Sequence, residues 1–425
     1  MATIAAGVGQ SAEPRAFDPT AIDPLDVTRA ELFRDHSWPE PFRRLRAEAP
    51  VYYCENSKFG PYWSVSTYKP IVHIEALPKI FSSSWEYGGI TVAGDTNSVL
   101  EAEVRMPMFI AMDPPKHQAQ RRTVAPAFTP SEIERMRIET QARTGAVLDS
   151  LPIGQAFDWV DKVSIELTTG MLAKLFDYPW ATRHDLTRWS DVLGDVELFS
   201  TLEKRQFRLG NAFEMGTAFK ALWDAKASQP PANDLISVML NSDAMAHMDE
   251  GEFMGNLILL IVGGNDTTRN SMTGLAYGLD KFPAERAKLE NDPSLIVNTA
   301  SEIIRWQTPL SHMRRTAMED AEVEGQMIRK GDKLALWYVS ANRDESVFDD
   351  GDAIRVDREN ARRHLSFGYG IHRCVGARVA ELQLIVLMEE MAKRRLRVNV
   401  LAEPERVAAC FVNEYKSMQV ELSRY

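Results

Sequence analysis

Cysteine is scarce. The 425 residues include only Cys54, Cys374 and Cys410, which are far apart, odd in number and in no CxxC pair. That argues against a disulfide framework or a zinc ribbon and makes a reducing cytoplasm the expected setting. Long apolar runs are also lacking. The longest, LILLIV from Leu257 to Val262, is far short of the ~20 residues that cross a bilayer. The first twenty residues, MATIAAGVGQSAEPRAFDPT, have no basic stretch followed by an apolar core, so neither a signal peptide nor a membrane anchor is expected. Basic residues are outnumbered, 49 Lys and Arg against 60 Asp and Glu, for a net charge of −11. Such a balance favours solubility and argues against non-specific nucleic-acid binding. There is no dinucleotide fingerprint, no ferredoxin-type cysteine cluster, no internal repeat and no low-complexity linker.

The hydrophobic content of 44% supplies a large core. Residues 1–25, rich in Ala, Gly, Pro and Asp without periodicity, are expected to form a flexible arm. Residues 26–425 are expected to form one domain and the protein a monomer. LFRDHSWPEPFRRLRAEAP is helix-like. VYYC and YWSVS flank a turn at NSKFG and suggest a hairpin. From Pro130 to about Ala300 the pattern is mainly helical, broken at LPIG, DYPW and SQPPAND. Residues 318–340 change to short β-like runs, ending in KLALWYVS, and 343–373 are irregular and rich in Arg, Asp and Gly. A helix is expected from about Gly376 to Arg394, with strands at LRVNVL and SMQVEL. The fold class is mainly α, of α+β type with a small β portion.

The strongest chemical signal is Phe367-Gly-Tyr-Gly-Ile-His-Arg-Cys-Val-Gly-Ala377. Gly368 and Gly370 can adopt positive φ and let the backbone approach a flat ligand. Cys374 lies just before a helix, whose free N–H groups and positive dipole end stabilise a thiolate. Gly376 removes a side chain where a flat ring could lie. For an isolated cysteine the competing reading is an inert core residue in a turn. The whole string resembles the haem-binding loop of the cytochromes P-450. That resemblance implies a helix-rich triangular prism with haem b between two long helices. It makes Cys374 the proximal iron ligand, whose electron donation favours O–O cleavage. Phe367, Gly368 and Gly376 then border the haem, and His372 bonds a propionate.

Four further motifs agree in order. In LIVGGNDTT (260–268) two glycines interrupt a helix that is apolar on every face. Each costs about 1 kcal/mol against alanine, and Asp266 and Thr267 add polar groups that need partners. Three broken rules in one turn point to function, although a kink or tight helix contact would also use Gly-Gly. The resemblance makes Gly263 and Gly264 the place where the helix passes over the haem. Thr267 would hold the bound oxygen, and Asp266 would relay protons. Glu302 and Arg305 share a helix face at i and i+3; with Arg358 they match the family's structural triad. In MDPPKHQAQRR (112–122) Asp113 reads as a helix cap. His117 and Arg121, four apart on one face, match propionate contacts, and Lys116 stands where the family usually has an acid. In MRRTAMED (313–320) Arg315 matches another propionate contact, with Arg314 the competing assignment because a strand alternates faces. His36, His73, His184, His247, His312 and His364 form no metal-ligand spacing.

The lack of cofactor-binding motifs for hydride or electron transfer implies that electrons from NAD(P)H arrive through a separate ferredoxin and ferredoxin reductase. Arg122, Arg362, Arg363, Arg373 and Arg378 could make a local basic docking face. Residues 157–180 and 262–270 resemble the bacterial terminal hydroxylases of alkanes and medium-chain fatty acids. The expected hydrophobic-substrate channel comprises Ile90, Thr91, Val92, Leu259, Val262, Leu310, Met313 and Phe411, with the loop 84–107 and the segment 193–215 setting specificity. The alternatives are a hydroxylase of a bulkier terpene or steroid, a peroxide-driven peroxygenase, or a non-catalytic thiolate-haem protein.

Overall fold

In the computed structural model, which describes residues 18, 20–93, 106–199 and 201–425, the all-apolar run sits inside a 32-residue helix, Glu250–Lys281. The Asp249 carboxylate caps it by accepting from the Glu252 N–H, an arrangement that satisfies one of the orphan donors of the first turn. Nearly every face from Met254 onward is buried. Helices His184–Gly194, Glu166–Phe176, Ile296–Gln307 and Ala377–Arg394 pack against it. Two large apolar clusters divide along this long helix, one holding Leu257, Leu260 and Ile261, the other Met272, Leu275 and Leu279.

The largest sheet among the described residues has five strands. Its spatial order is Val51–Cys54, Tyr62–Val65, Lys333–Leu336, Met313–Ala317, Phe81–Ser82. The first pair is the expected hairpin, with Val51 opposite Val65 and Gly60 in the turn at φ +75°. Tyr62–Val65 runs parallel to Lys333–Leu336, which pairs antiparallel with Met313–Ala317. Gln419–Arg424 lies between Leu396–Val400 and Ala156–Asp158 in a second sheet. Among the described residues no helix is long and apolar enough to cross a membrane.

The sequence reading needs three corrections here. Residues 156–158, inside the region read as helical, form a strand because Val420 offers a sheet partner to Phe157. WYVS does not extend the strand: it stops at Leu336 and Tyr338–Ala341 turns helical. Of the expected arm, residues 1–17 and 19 lie outside the described residues, but the chain is tied down well before residue 25. Asn56 Nδ2 donates to the Asp18 and Ala21 carbonyls, Tyr52 OH donates to Asp23, and Leu25 is buried among Val27, Phe33 and Trp38.

The irregular stretch 343–373 has little backbone ladder of its own, so its carbonyls must find other donors. The helix Ile296–Gln307 supplies them. Glu302 and Arg305, both fully buried, pair at 2.7 and 2.8 Å. Arg305 Nη1 donates to the carbonyls of Asn342 and Gly351, each at 2.7 Å. Arg358 Nε reaches Glu302 at 3.0 Å, and its Nη1 donates to the Asp349 carbonyl at 2.6 Å. The Glu302 carboxylate also accepts from the Arg355 N–H. Arg305→Ala should therefore strand a buried carboxylate and several carbonyls. A loss of about 3–5 kcal/mol is expected, read as a lowered denaturation midpoint of the purified variant against wild type.

Candidate active site

Between the long helix and the cysteine loop lies a cavity of about 660 Å³. The loop is held from inside: the Cys374 N–H donates to the Phe367 carbonyl at 2.8 Å, with Gly368 and Gly370 at φ +67° and +65°. A Cβ on Gly370 would collide with the Glu75 carbonyl oxygen. The helix Ala377–Arg394 starts with Gly376 at its cap. Phe367, Gly368, His372, Cys374 and Gly376 all line the cavity, and the Cys374 sulfur is accessible through it. Burial pushes the thiol up, opposed by a hydrogen bond from the Gly376 backbone and by the charge of Arg121.

His117 and Arg121 face this cavity from the helix Lys116–Val124. The His117 and His372 rings lie 4.2 Å apart, centre to centre. Neither nitrogen of either ring has a hydrogen-bond partner among the described residues. Burial, with Arg121 adjacent, lowers His117 to about 4; burial, Arg315 and His117 lower His372 to about 2. Two unpartnered buried imidazoles beside two arginines ask for anions. Of the two candidate arginines, Arg315 lines the cavity, whereas Arg314 points its guanidinium at the Tyr87 carbonyl. A thiol on one side, four cationic or hydrogen-bonding groups at one edge and mostly apolar walls fit a haem with two propionates.

Asp113 corrects the helix-cap expectation. Its carboxylate accepts from Ser82 Oγ and the Ser83 N–H, tying this segment to the strand Phe81–Ser82, and Pro115 occupies the cap position. Lys116 pairs with Glu252 at 2.7 Å.

On the long helix the two glycines do different things. A Cβ on Gly263 would meet nothing within 4 Å, because that position opens into the cavity; one on Gly264 would press into Leu172 at 2.8 Å. Gly264 is thus a tight helix contact, and Gly263 alone makes space. Thr267 Oγ1 donates to the Gly263 carbonyl at 2.8 Å. Asp266 accepts from Ser190 Oγ at 2.7 Å, Arg269 Nη2 at 3.2 Å and Asn265 Nδ2 at 3.3 Å. Arg269 also pairs with Asp191 at 2.6 Å and with Glu414 at 2.5 Å. Asp266, Thr267 and Gly263 all line the cavity. Burial, opposed by Arg269, raises Asp266 to about 6 and Glu414 to about 8.

Seven of the eight expected channel residues line the cavity, and Ile90, Leu310, Met313 and Phe411 join Val196 and Phe199 in one apolar cluster. Val92 is the exception. It is buried away from the cavity with Leu25, Val27 and Trp337, and its N–H reaches His312 Nε2. Its neighbours Thr91 and Ala93 face the cavity instead. The specificity loop 84–107 lies outside the described residues at 94–105. The segment 193–215 contributes Leu193, Val196, Phe199 and Leu209 to the wall.

Ser190, Gly194, Arg269, Glu414 and Glu75 were not singled out from the sequence. Gly194 makes room for Asp266, since a Cβ there would lie 2.8 Å from its carboxylate. The i, i+3 spacing of Asp266 and Arg269 was a readable signal. The other contacts join residues distant in sequence.

A cysteine facing the cavity opposite a helix opened by glycine, with an edge suited to anions, fits a haem. A family model described as Cytochrome P450 matches residues 197–400. The chain is 35% identical to "Linalool 8-monooxygenase" of Pseudomonas putida over 93% of this chain and 98% of that protein. CYP153D17 from Sphingomonas sp. PAMC 26605 is 65% identical, with a TM-score of 0.91 over 95% of this chain and 100% of that one. Cytochrome P450-153 from Novosphingobium aromaticivorans is 55% identical, with a TM-score of 0.90 over 94% and 100%. The chain belongs to the cytochrome P450 family and is a haem-iron monooxygenase.

The acid cluster gives a pH dependence. An acid whose folded pKa is raised binds its proton more tightly folded than unfolded. Stability is therefore lost as pH rises from the ordinary carboxylate range through the folded value. Wild type should thus lose stability between about pH 4 and pH 8 relative to Asp266→Asn. Denaturant midpoints of both proteins across that range test this, and parallel curves would contradict it.

Proposed function

We propose that this monooxygenase hydroxylates the terminal carbon of linear aliphatic substrates, n-alkanes or medium-chain fatty acids. The observation that carries this reading is the apolar cluster of Ile90, Leu310, Met313, Phe411, Val196 and Phe199 along the cavity wall. A terminal C–H is stronger than an internal one, so attack there needs a channel that presents only the chain end. Each buried CH₂ yields about 0.8 kcal/mol, enough for an alkyl chain to bind without polar contacts. Two relatives bear on the choice by name: "Methyl-branched lipid omega-hydroxylase" of Mycobacterium bovis, 30% identical over 90% of each chain, supports the reading. The linalool relative favours a bulkier terpene alcohol as the second reading.

Bound haem would supply dioxygen activation. Cys374 is its thiolate ligand in this reading. His117, Arg121, Arg315 and His372 would hold the propionates, Phe367, Gly368 and Gly376 would border the ring, and Gly263 leaves open space in the cavity. Thr267, beside the opened turn, would hold a proton at its Oγ1 on the cavity wall. Asp266 carries protons inward, its carboxyl held by Ser190 and Arg269. Such a proton donor acts best when its pKa lies near the working pH, and burial brings Asp266 there. Electrons come from NAD(P)H through a ferredoxin reductase and a ferredoxin in the cytoplasm. Arg122, Arg362, Arg363, Arg373 and Arg378 are all exposed around the cysteine loop, and the last two with Arg362 act electrostatically on Glu381. An acidic ferredoxin would be steered there, more weakly as salt rises.

Turnover of dodecane, dodecanoate and linalool with NADH, ferredoxin and reductase is the direct test. Terminal alcohols from the linear substrates support the reading; turnover of linalool alone favours the second. Thr267→Ala should retain haem but release most reducing equivalents as hydrogen peroxide, measured against NADH consumed. Tight coupling in that variant would count against the role given to Thr267.

A further inference from the structure

Glu75 ends the helix Tyr68–Glu75 and is a buried acid that the mechanism above does not use. It lines the same cavity. One carboxylate oxygen accepts from Arg315 Nη2 at 2.8 Å and from Tyr338 OH at 2.6 Å; the other accepts from the Tyr369 N–H at 2.8 Å. These donors come from three separate segments: the strand Met313–Ala317, the turn Tyr338–Ala341 and the cysteine loop. Backbone joins the same contact, because Gly370 packs directly on the Glu75 carbonyl.

We infer that Glu75 is a positioning residue that acts through Arg315 and the cysteine loop, fixing the propionate-facing guanidinium and the thiolate-bearing turn relative to each other. Burial raises the Glu75 pKa, and the three donors, Arg315, Tyr338 and the Tyr369 N–H, oppose it by favouring the ionised carboxylate. Burial makes a broken contact costly, because a buried charge left without partners loses its compensation. The ion pair also sets local charge. Arg315 neutralised by Glu75 offers the haem edge less positive field than Arg315 alone, and a more positive field stabilises the reduced, more negative iron centre.

The test is made on the haem-loaded full chain. Glu75→Gln removes the charge but keeps the shape, so the one-electron reduction potential should rise. The expected change is on the order of tenfold in the reduction equilibrium, about 59 mV. A purely structural role would leave the potential of the correctly loaded variant unmoved, and an unchanged potential overturns the proposal. Glu75→Asp keeps the charge but cannot reach Arg315, Tyr338 and Tyr369 together. Its haem should pass to apomyoglobin about tenfold faster than wild type, the factor implied by losing one hydrogen bond to a charged group. A transfer rate within about twofold of wild type overturns the proposal even if Glu75→Gln does not retain haem.

Discussion

The structure depends on one constraint: a sulfur anion-former and a long apolar helix must face each other across a gap that protein atoms do not fill. Everything near that gap serves to keep it open or to hold its edges. Gly368 and Gly370 turn the loop so that Cys374 faces inward. Gly263 removes the only side chain that its own backbone position would place in the space. Close packing normally eliminates such voids, so a cavity of this size survives only because its walls are anchored elsewhere. On the long helix, the anchor is Gly264 against Leu172; on the loop, it is Glu75 beneath Tyr369 and Gly370.

Two buried charge clusters support those walls, and they differ in balance. Around Glu302, one carboxylate meets two guanidiniums whose remaining N–H groups all point at backbone carbonyls. Each group there is satisfied, so the cluster suits a fixed structural part. Around Arg269 the ratio is reversed: one guanidinium serves Asp191, Asp266 and Glu414. Burial raises both Asp266 and Glu414, and repulsion among the carboxylates adds to it while Arg269 opposes it. The cluster also spans from Asp191, half-exposed, to Asp266 at the cavity.

The haem edge was legible in the sequence because it is local. Backbone periodicity puts His117 with Arg121, and Glu302 with Arg305, on shared faces, and the resemblance of these motifs and of the Cys374 loop to the cytochromes P-450 implies their roles. What stayed hidden depends on chain segments meeting. Val92 reads like its neighbours, yet alternation turned it into the Trp337 cluster while Thr91 and Ala93 faced the cavity. Asp113 looked like a cap until Ser82 and Ser83 proved nearer. Gly264 and Gly263 are adjacent and identical, and only the position of Leu172 separates their tasks. Glu75 lay in an amphipathic helix, where an acid on the buried face was a readable anomaly, but its partners are 240, 263 and 294 residues away.

That distribution explains how one fold can keep its chemistry and change its substrate. At the haem edge Arg121 donates to the Arg373 carbonyl and Arg315 to Glu75, so substituting either arginine costs partners as well as contacts. The apolar cluster at Ile90, Phe199, Leu310 and Phe411 has no such coupling. Hydrophobic surfaces tolerate exchange at conserved volume, so the channel can be reshaped without disturbing Cys374, Asp266 or Arg315. Much of this wall comes from 84–93, which follows the strand Phe81–Ser82, and from 193–199 with the start of the helix Leu202–Ala227. Substitution in the parts of these segments outside the α-helices and strands, 88–93 and 195–199, therefore reaches the channel wall without touching the loop that carries Cys374.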